Sequence, residues 1–231
     1  MCGIIVLIGA AATNDDISRS MSELRYRGPD NSRLYKGKLI TMGFTRLAIM
    51  DLSSEGDQPM EHPEDPDLML VCNGEIYNYR YLEKKYGFQQ KSSRYVPFCV
   101  LIKTNTNIYL YSDCEAILHL YKYLSIDDLV RSLDGVFAFV LFDERKNLLY
   151  IARDPYGVRP LFYTITKCGG YAIASEVKAL QHIAINEGIR PFPPGHYQII
   201  NLSDYMDMPI PYFSYDNLRP RMGQGTLVFM P

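Results

Sequence analysis

The sequence predicts an α+β fold built on mainly antiparallel sheet, and three observations predict it. Apolar, β-branched runs recur along the 231 residues. Several neighbouring runs are joined by hairpin-length connections, and few helical patterns fall between them to carry the crossovers that parallel strands need. Strands such as "VFAFVLF" (136–142) are also apolar on both faces. Strands of that kind must be covered on both sides, by another sheet or by helices.

The elements follow in chain order. "GIIVLIG" (3–9) is short, apolar and β-branched, and Gly9 stops it, so it reads as a buried strand. "DDISRSMSELRYRGPD" (15–30) places Ile17, Met21 and Leu24 on one helical face, ended by Gly28-Pro29. Further strands are expected at 39–52, 68–74, 136–144, 147–154, 160–166 and 171–175, with helices at 113–124 and 127–135. "FAFVLFDERKNLLYIARD" reads as a hairpin turning at "ERKN". Two segments fit this pattern poorly: the Pro97-broken run "SSRYVPFCVLIKTNTNIYLY" (92–111), and the end "LRPRMGQGTLVFMP" (218–231), which has no amphipathic logic. No internal repeat is present.

Composition narrows the function classes. Hydrophobic residues make up 47% and charged residues 22%, as in soluble globular domains. A net charge of −2 gives no electrostatic case for nucleic acid or an anionic membrane. No apolar run approaches the ~20 residues of a membrane-spanning helix. The start lacks a basic n-region and a long apolar segment, so Met1-Cys2 is expected to be the true start of a cytoplasmic protein. The five cysteines, Cys2, Cys72, Cys99, Cys114 and Cys168, share no C-x-x-C spacing. Neither a disulfide framework nor a zinc site is expected. His62, His119, His182 and His196 share no metal-ligand spacing and read as structural or exposed.

Four stretches could carry chemistry. Cys2 follows the initiator methionine. Loss of Met1 would free an α-amine, with a reference pKa of about 7.7–8.0, to serve as base for the thiol on the same residue. The alternative is a small buried residue entering the first strand. In "VCNGEIYN" (71–78), Asn73 and the unshielded N–H of Gly74 could form a two-donor oxyanion hole. Asn-Gly is also the commonest hairpin turn, and on these residues alone the turn is the stronger reading. In "FTRLAIMD" (44–51), Arg46 interrupts an apolar strand. Its guanidinium needs either a substrate carboxylate, which it matches bidentately, or an internal partner such as Asp51 or Glu75. In "SDCE" (112–115), Ser112 or Asp113 could cap a helix, and an aspartate there could also accept from a substrate ammonium.

Together, and in this order, these stretches resemble the class II, N-terminal-nucleophile glutamine amidotransferases, specifically the glutaminase half of glutamine-dependent asparagine synthetase. The resemblance rests on "MCGI", "RYRGPDNS", "FTRLAIMDLSSEGDQPM", "VCNGEIYNYRYL", "SDCEAILHLY", "LDGVFAFVLFDERKNLLYIARDPYGVRPLFY", "ASEVKAL" and "FPPGHY", which span most of residues 1–200. It implies a four-layer α/β/β/α sandwich of two mainly antiparallel sheets. It implies that Cys2 attacks the side-chain amide of L-glutamine, that its α-amine shuttles the proton, and that Asn73 and Gly74 hold the oxyanion. Arg46 would clamp the α-carboxylate, Glu75 and Asp113 would surround the α-ammonium, and the backbone from Leu47 through Ala48 and Ile49 to Met50 would line the pocket. Arg27 would shape the site beside the nucleophile, while Tyr26 stands where relatives often have histidine. Water would then release glutamate and ammonia.

The resemblance also sets boundaries. Residues 1–200 are expected to form the glutaminase domain with an insertion at about 92–111, and 201–231 a tail or truncated linker to a missing synthetase domain. That domain's S-G-G-x-D-S phosphate loop has no counterpart in this sequence. ATP and magnesium are therefore expected only for the missing domain, and no cofactor or metal for this chain. A synthetase domain or subunit receiving the ammonia is the expected partner. The insertion reads as a surface loop or as translated non-coding sequence, the second being preferred because the tail also lacks pattern. It is expected to be poorly ordered and to displace Asp113 little.

Overall fold

The computed structural model describes residues 1–9, 12–48, 56–88, 94–95, 109–110, 113–185, 188–203 and 208–214. In chain order the elements are β1 (Gly3–Ile8), α1 (Asn14–Leu24), β2 (Asn31–Lys36), β3 (Ile40–Arg46), β4 (Met60–His62), β5 (Asp65–Ile76), α2 (Tyr79–Tyr86), β6 (Arg94–Tyr95), β7 (Tyr109–Leu110), α3 (Glu115–Tyr121), α4 (Ile126–Ser132), β8 (Gly135–Asp143), β9 (Leu148–Arg153), β10 (Phe162–Ile165), β11 (Tyr171–Ala174), β12 (Arg190–Pro191), β13 (His196–Asn201) and β14 (Ile210–Pro211). A short 3₁₀ turn, Val177–Ala179, follows β11.

Two six-stranded sheets form the centre, in the orders β12-β10-β11-β1-β3-β2 and β14-β13-β9-β8-β5-β4. Their strand pairs are antiparallel. The period-2 alternation of each strand sends side chains to two different cores. From β1, Ile4, Val6 and Ile8 meet Met69, Val71, Val140, Phe142 and Ile151 of the second sheet. Ile5 and Leu7 face the other way, onto Ile17 and Leu24 of α1 and onto Ala179 and Leu180. From β8, Phe137, Phe139 and Leu141 turn away from the first sheet, onto Leu82 of α2, Ile117 and Leu120 of α3 and Leu129 of α4. The layers are therefore α/β/β/α, and the strands with two apolar faces are those with cover on both sides.

Local chemistry explains the ends. Thr13 caps α1: its hydroxyl accepts from the Asp16 N–H (3.2 Å), and the Asp16 carboxylate accepts from the Thr13 N–H (3.0 Å). The helix ends at Leu24, before the expected Gly28-Pro29. The two central strands of the second sheet turn between Asp143 and Leu148, at the expected "ERKN", with Asn147 in the left-handed region at φ 54°. Ser125 caps α4 by accepting from the Asp128 N–H (3.2 Å).

The structure corrects three expectations. Asn73-Gly74 is no turn: it lies inside β5, opposite Ala138 and Phe137. Asp113 does not cap α3, because the N-cap position is Cys114, without a side-chain capping bond. The helices at 113–124 and 127–135 are shorter, Glu115–Tyr121 and Ile126–Ser132. Of the segment 92–111, only the flanking β6 and β7 are described, and they pair with each other, Arg94 opposite Leu110 and Tyr95 opposite Tyr109. "VPFCVLIK", Ser112 and the tail from Leu218 lie outside the described residues.

Candidate active site

The candidate site forms where β1 begins and β3 ends in one sheet and β5 of the other sheet passes against them. Cys2 sits just before β1, half-buried, with its sulfur against the backbone of Leu47. The Leu47 N–H points at the sulfur from 3.5 Å, and the Leu47 carbonyl lies 3.7 Å away. One residue thus offers an acceptor to the thiol and a donor to the thiolate. Burial pushes the Cys2 thiol above its ordinary pKa, offset in part by the Leu47 N–H, the chain's amino terminus and the Arg46 charge.

The backbone of Cys2 is locked from the other side. Arg27 Nε donates to the Cys2 carbonyl (2.9 Å), while Arg27 Nη1 pairs with Glu176 (2.6 Å). With the Asn73 amide turned as its neighbours require, its nitrogen donates to the same carbonyl (3.3 Å) and its oxygen accepts from Arg27 Nη2 (3.2 Å). Ser175 fixes the start of β1 by accepting from the Ile4 N–H (3.1 Å). Gly28 lets this corner close: a Cβ there would stand 2.3 Å from the Thr45 carbonyl carbon and oxygen.

Beyond β4, the edge of β5 is met by side chains. The Cys72 N–H donates to Gln58 Oε1 (2.5 Å) and the Ile76 N–H to Asp113 Oδ2 (2.6 Å). Strand alternation turns the Gly74 N–H to the same edge, between those two. No described residue accepts from it there. Residue 74 must be glycine for a packing reason as well, since a Cβ would stand 2.5 Å from the Val136 carbonyl oxygen and 2.7 Å from Phe137 Cα.

Charged groups ring this edge. Arg46, buried at the end of β3, pairs with buried Asp57 at 2.8 Å, and Asp51 lies outside the described residues. Asp57 also accepts from the Asn31 amide (2.5 Å). Asp30 receives the Ala48 N–H (2.8 Å), fixing the chain just after Leu47. Burial pushes the Asp113 carboxyl up to about 6, against the Ile76 N–H that stabilises its charged form. Glu75 meets Arg159 Nη2 at 3.0 Å. Arg159 sits on a loop tied down by buried Asp154, whose carboxylate accepts from the N–H groups of Tyr156, Val158 and Arg159 at 3.0 Å each.

Cys2, Arg27, Arg46, Leu47, Ala48, Asn73, Gly74, Glu75 and Asp113 all fall on the elements meeting at this corner. Ile49 and Met50 lie outside the described residues. Sequence reasoning missed Asp57, Asn31, Asp30, Glu176 and Arg159 as supports, although each lies within or next to a quoted stretch. The usable signal was a charged or amide side chain within an otherwise apolar or turn-rich run. Among the described residues, no group of His, Cys, Asp or Glu is placed to hold a metal ion, and no helix is long and apolar enough to cross a membrane.

Comparison with known proteins places the chain in context. The family model for the glutamine amidotransferase domain matches residues 1–191. The asparagine synthetase (glutamine-hydrolyzing) of Gallus gallus is 36% identical over 209 residues, covering 87% of this chain and 34% of that protein. The Homo sapiens protein of the same name is 35% identical over 209 residues, with the same coverage of 87% and 34%. The chain thus spans about a third of the length of these curated relatives. Among solved structures, a glutamine phosphoribosylpyrophosphate amidotransferase from B. subtilis superposes with a TM-score of 0.68 at 21% identity, covering 92% of this chain and 49% of that one. That likeness concerns the fold.

Proposed function

The chain belongs to the glutamine amidotransferase domain family, and from that premise we propose that it hydrolyses L-glutamine to glutamate and ammonia with Cys2 as nucleophile. The observation that carries the proposal is the convergence of three separate stretches on Cys2. Leu47 brackets its sulfur, Arg46 lends it positive charge, Asn73 and Arg27 hold its carbonyl, and the Gly74 edge lies alongside.

The chemistry then runs on this chain's own groups. Once Met1 is removed, the α-amine of Cys2 takes the thiol proton and the sulfur attacks the glutamine carboxamide carbon. The Leu47 N–H steadies the thiolate before attack. The oxyanion forms at the β5 edge, where the Gly74 N–H already faces. Asn73 joins it by re-aiming its amide from the Cys2 carbonyl. Each such donor typically contributes about 10²–10³-fold in rate. The α-amine then delivers its proton to the departing ammonia, and water cleaves the thioester. Arg46, held by Asp57, meets the α-carboxylate. Asp113 meets the α-ammonium, with Glu75 beside it and restrained by Arg159.

Delivery of the ammonia to aspartate, in a synthetase domain or subunit using ATP and magnesium, is the further proposal for the whole system. It follows from the curated relatives' name, and no residue here is assigned to it. A reducing, cytoplasmic setting suits a nucleophilic thiol, and Cys2, Cys72, Cys114 and Cys168 are all free. The test is ammonia release from glutamine by the purified protein, with intact mass to verify loss of Met1. Activity that vanishes in Cys2→Ala supports the reading. No release from protein lacking Met1 overturns it, in favour of an idle interaction protein that keeps the fold.

A further inference from the structure

Gln58 is held at the corner of the proposed site from both sheets. Its Oε1 accepts from the Cys72 N–H of β5 at 2.5 Å, and the residue is 5% exposed. The residue before it, Asp57, is equally buried and pairs with Arg46 on β3 and with Asn31 on β2. The dipeptide thus bridges the two sheets, and neither side chain is left to wander. Along the β5 edge the order of groups is Gln58 on the Cys72 N–H, the Gly74 N–H, then Asp113 on the Ile76 N–H. Successive N–H groups on one edge are two residues apart, about 6.5 Å. An acyl oxygen seated on the Gly74 N–H therefore lies about 6.5 Å from Gln58 Oε1. Two hydrogen-bond-length contacts of about 3 Å, end to end, span nearly that gap. One small polar molecule fits between them. Gln58 can hold it, since an amide oxygen has two lone pairs and the Cys72 N–H takes one.

We propose that Gln58 positions the water that cleaves the thioester. The inference rests on the glutaminase reading and adds a residue to it. In the acyl-enzyme, the water donates one hydrogen to Gln58 Oε1 and the other to the α-amine of Cys2. A lone pair of the water is then left to face the acyl carbon. The oxygen–carbon bond forms, the carbon–sulfur bond breaks, and the α-amine passes the proton it has taken to the sulfur. The new carboxyl of glutamate carries the remaining hydrogen and loses it to solvent, and Cys2 regains its thiol. Gln58 neither gains nor loses a proton, because a neutral carboxamide orients a water without acting as its base. Departing ammonia and incoming water occupy the same position on the acyl carbon in turn, so a fixed acceptor beside that position receives the second when the first has gone.

The experiment reads how the thioester divides between two nucleophiles. Hydroxylamine captures it as the γ-glutamyl hydroxamate, and as a stronger nucleophile than water it does not need the same orientation. The ratio of glutamate to hydroxamate at a fixed hydroxylamine concentration reports hydrolysis of the thioester alone, whatever fraction of the protein has folded. Gln58→Met keeps the length of the side chain and removes the oxygen. Its ratio is expected to fall at least about tenfold below that of the native protein, with the glutamyl thioester accumulating on Cys2 by intact mass. Gln58→Glu keeps an oxygen for the Cys72 N–H and offers the water a charged acceptor, which holds it more strongly, so its ratio is expected to rise. An unchanged ratio in Gln58→Met, however much total turnover drops, makes Gln58 a support for the Cys72 N–H alone and overturns the proposal. Where Gln58→Met is inactive, Gln58→Glu decides in its place, and a ratio no higher than the native one overturns the proposal. Native protein that makes neither ammonia nor hydroxamate counts against the glutaminase reading itself, whereas active native protein with an unmoved ratio in the variants sinks this inference alone.

Discussion

Asp113 shows how one side chain ties sequence to a measurable property. Burial raises its carboxyl to about 6, while the Ile76 N–H holds it in place. It carries charge only above that value, and only the charged form attracts the ammonium of glutamine. KM for glutamine is therefore expected to rise as pH falls through about 6, while kcat follows other groups. Asp113→Asn should remove that limb and raise KM at every pH, as steady-state kinetics across pH would show; an unchanged limb in the variant assigns it elsewhere. The residue types of the site were legible because each breaks a local pattern: a cysteine after the initiator, an arginine in an apolar strand, an Asn-Gly inside an alternating run. Their partners were not. Arg46 finds Asp57, a carboxylate the sequence did not single out, because which carboxylate meets a buried guanidinium is decided by how separate segments stack, and one sequence does not carry that.

Elements were legible where both faces are apolar and hidden where they are not. β1, β5, β8, β9, β10 and β11 announce themselves by β-branched and aromatic runs. β2 is largely exposed at a sheet edge and reads as polar chain. β4, β12 and β14 are three residues or fewer. α2 is eight residues long and buries only Leu82, so it offers a short apolar stripe to read. Asn73-Gly74 was ambiguous for a physical reason: the same dipeptide suits a tight turn and a strand passing close to a neighbour. The close approach of β8 decides it, and Gly74→Ala is expected to lower stability by about 2 kcal/mol and to reduce glutamine turnover, as denaturant melts and the ammonia assay would show. The contact of β4 with α3 holds a second consequence. His62 Nε2 lies 3.1 Å from His119 Nδ1, and His119 Nε2 lies 3.3 Å from Glu115, while His62 Nδ1 accepts from the Glu64 N–H. Both ring nitrogens of His62 are committed in its neutral form, and burial lowers its pKa to about 4. The unfolded chain binds this proton from about pH 6.5 downward, whereas the folded one does not until about 4. Stability is thus full above pH 6.5 and falls between 6.5 and 4 by the order of 3 kcal/mol. His62→Gln should flatten that part of the curve.

At the scale of the whole molecule, four layers explain why a single strand such as β8 alternates between two cores. Phe139 faces the helices and Val140 the other sheet, both fully buried. Phe139→Ala is expected to cost about 3–5 kcal/mol and Val140→Ala about 1–3 kcal/mol, losses on both faces that a sheet with one solvated side would not show. The layering also serves the site, since it brings the start of β1 and the end of β3 in one sheet against the middle of β5 in the other. The antiparallel character of the sheets was legible in the sequence; the stacking that makes the corner came from the resemblance, because sheet order and facing are set by contacts between residues far apart in the chain. The measurement that tests the central claim most directly is peptide mapping after reaction with a diazoketone analogue of glutamine. The account predicts one covalent adduct, on the sulfur of an amino-terminal Cys2 from which Met1 is gone, with ammonia release falling in step with labelling. Full labelling of a different residue, or ammonia release that continues once Cys2 is capped, would contradict it.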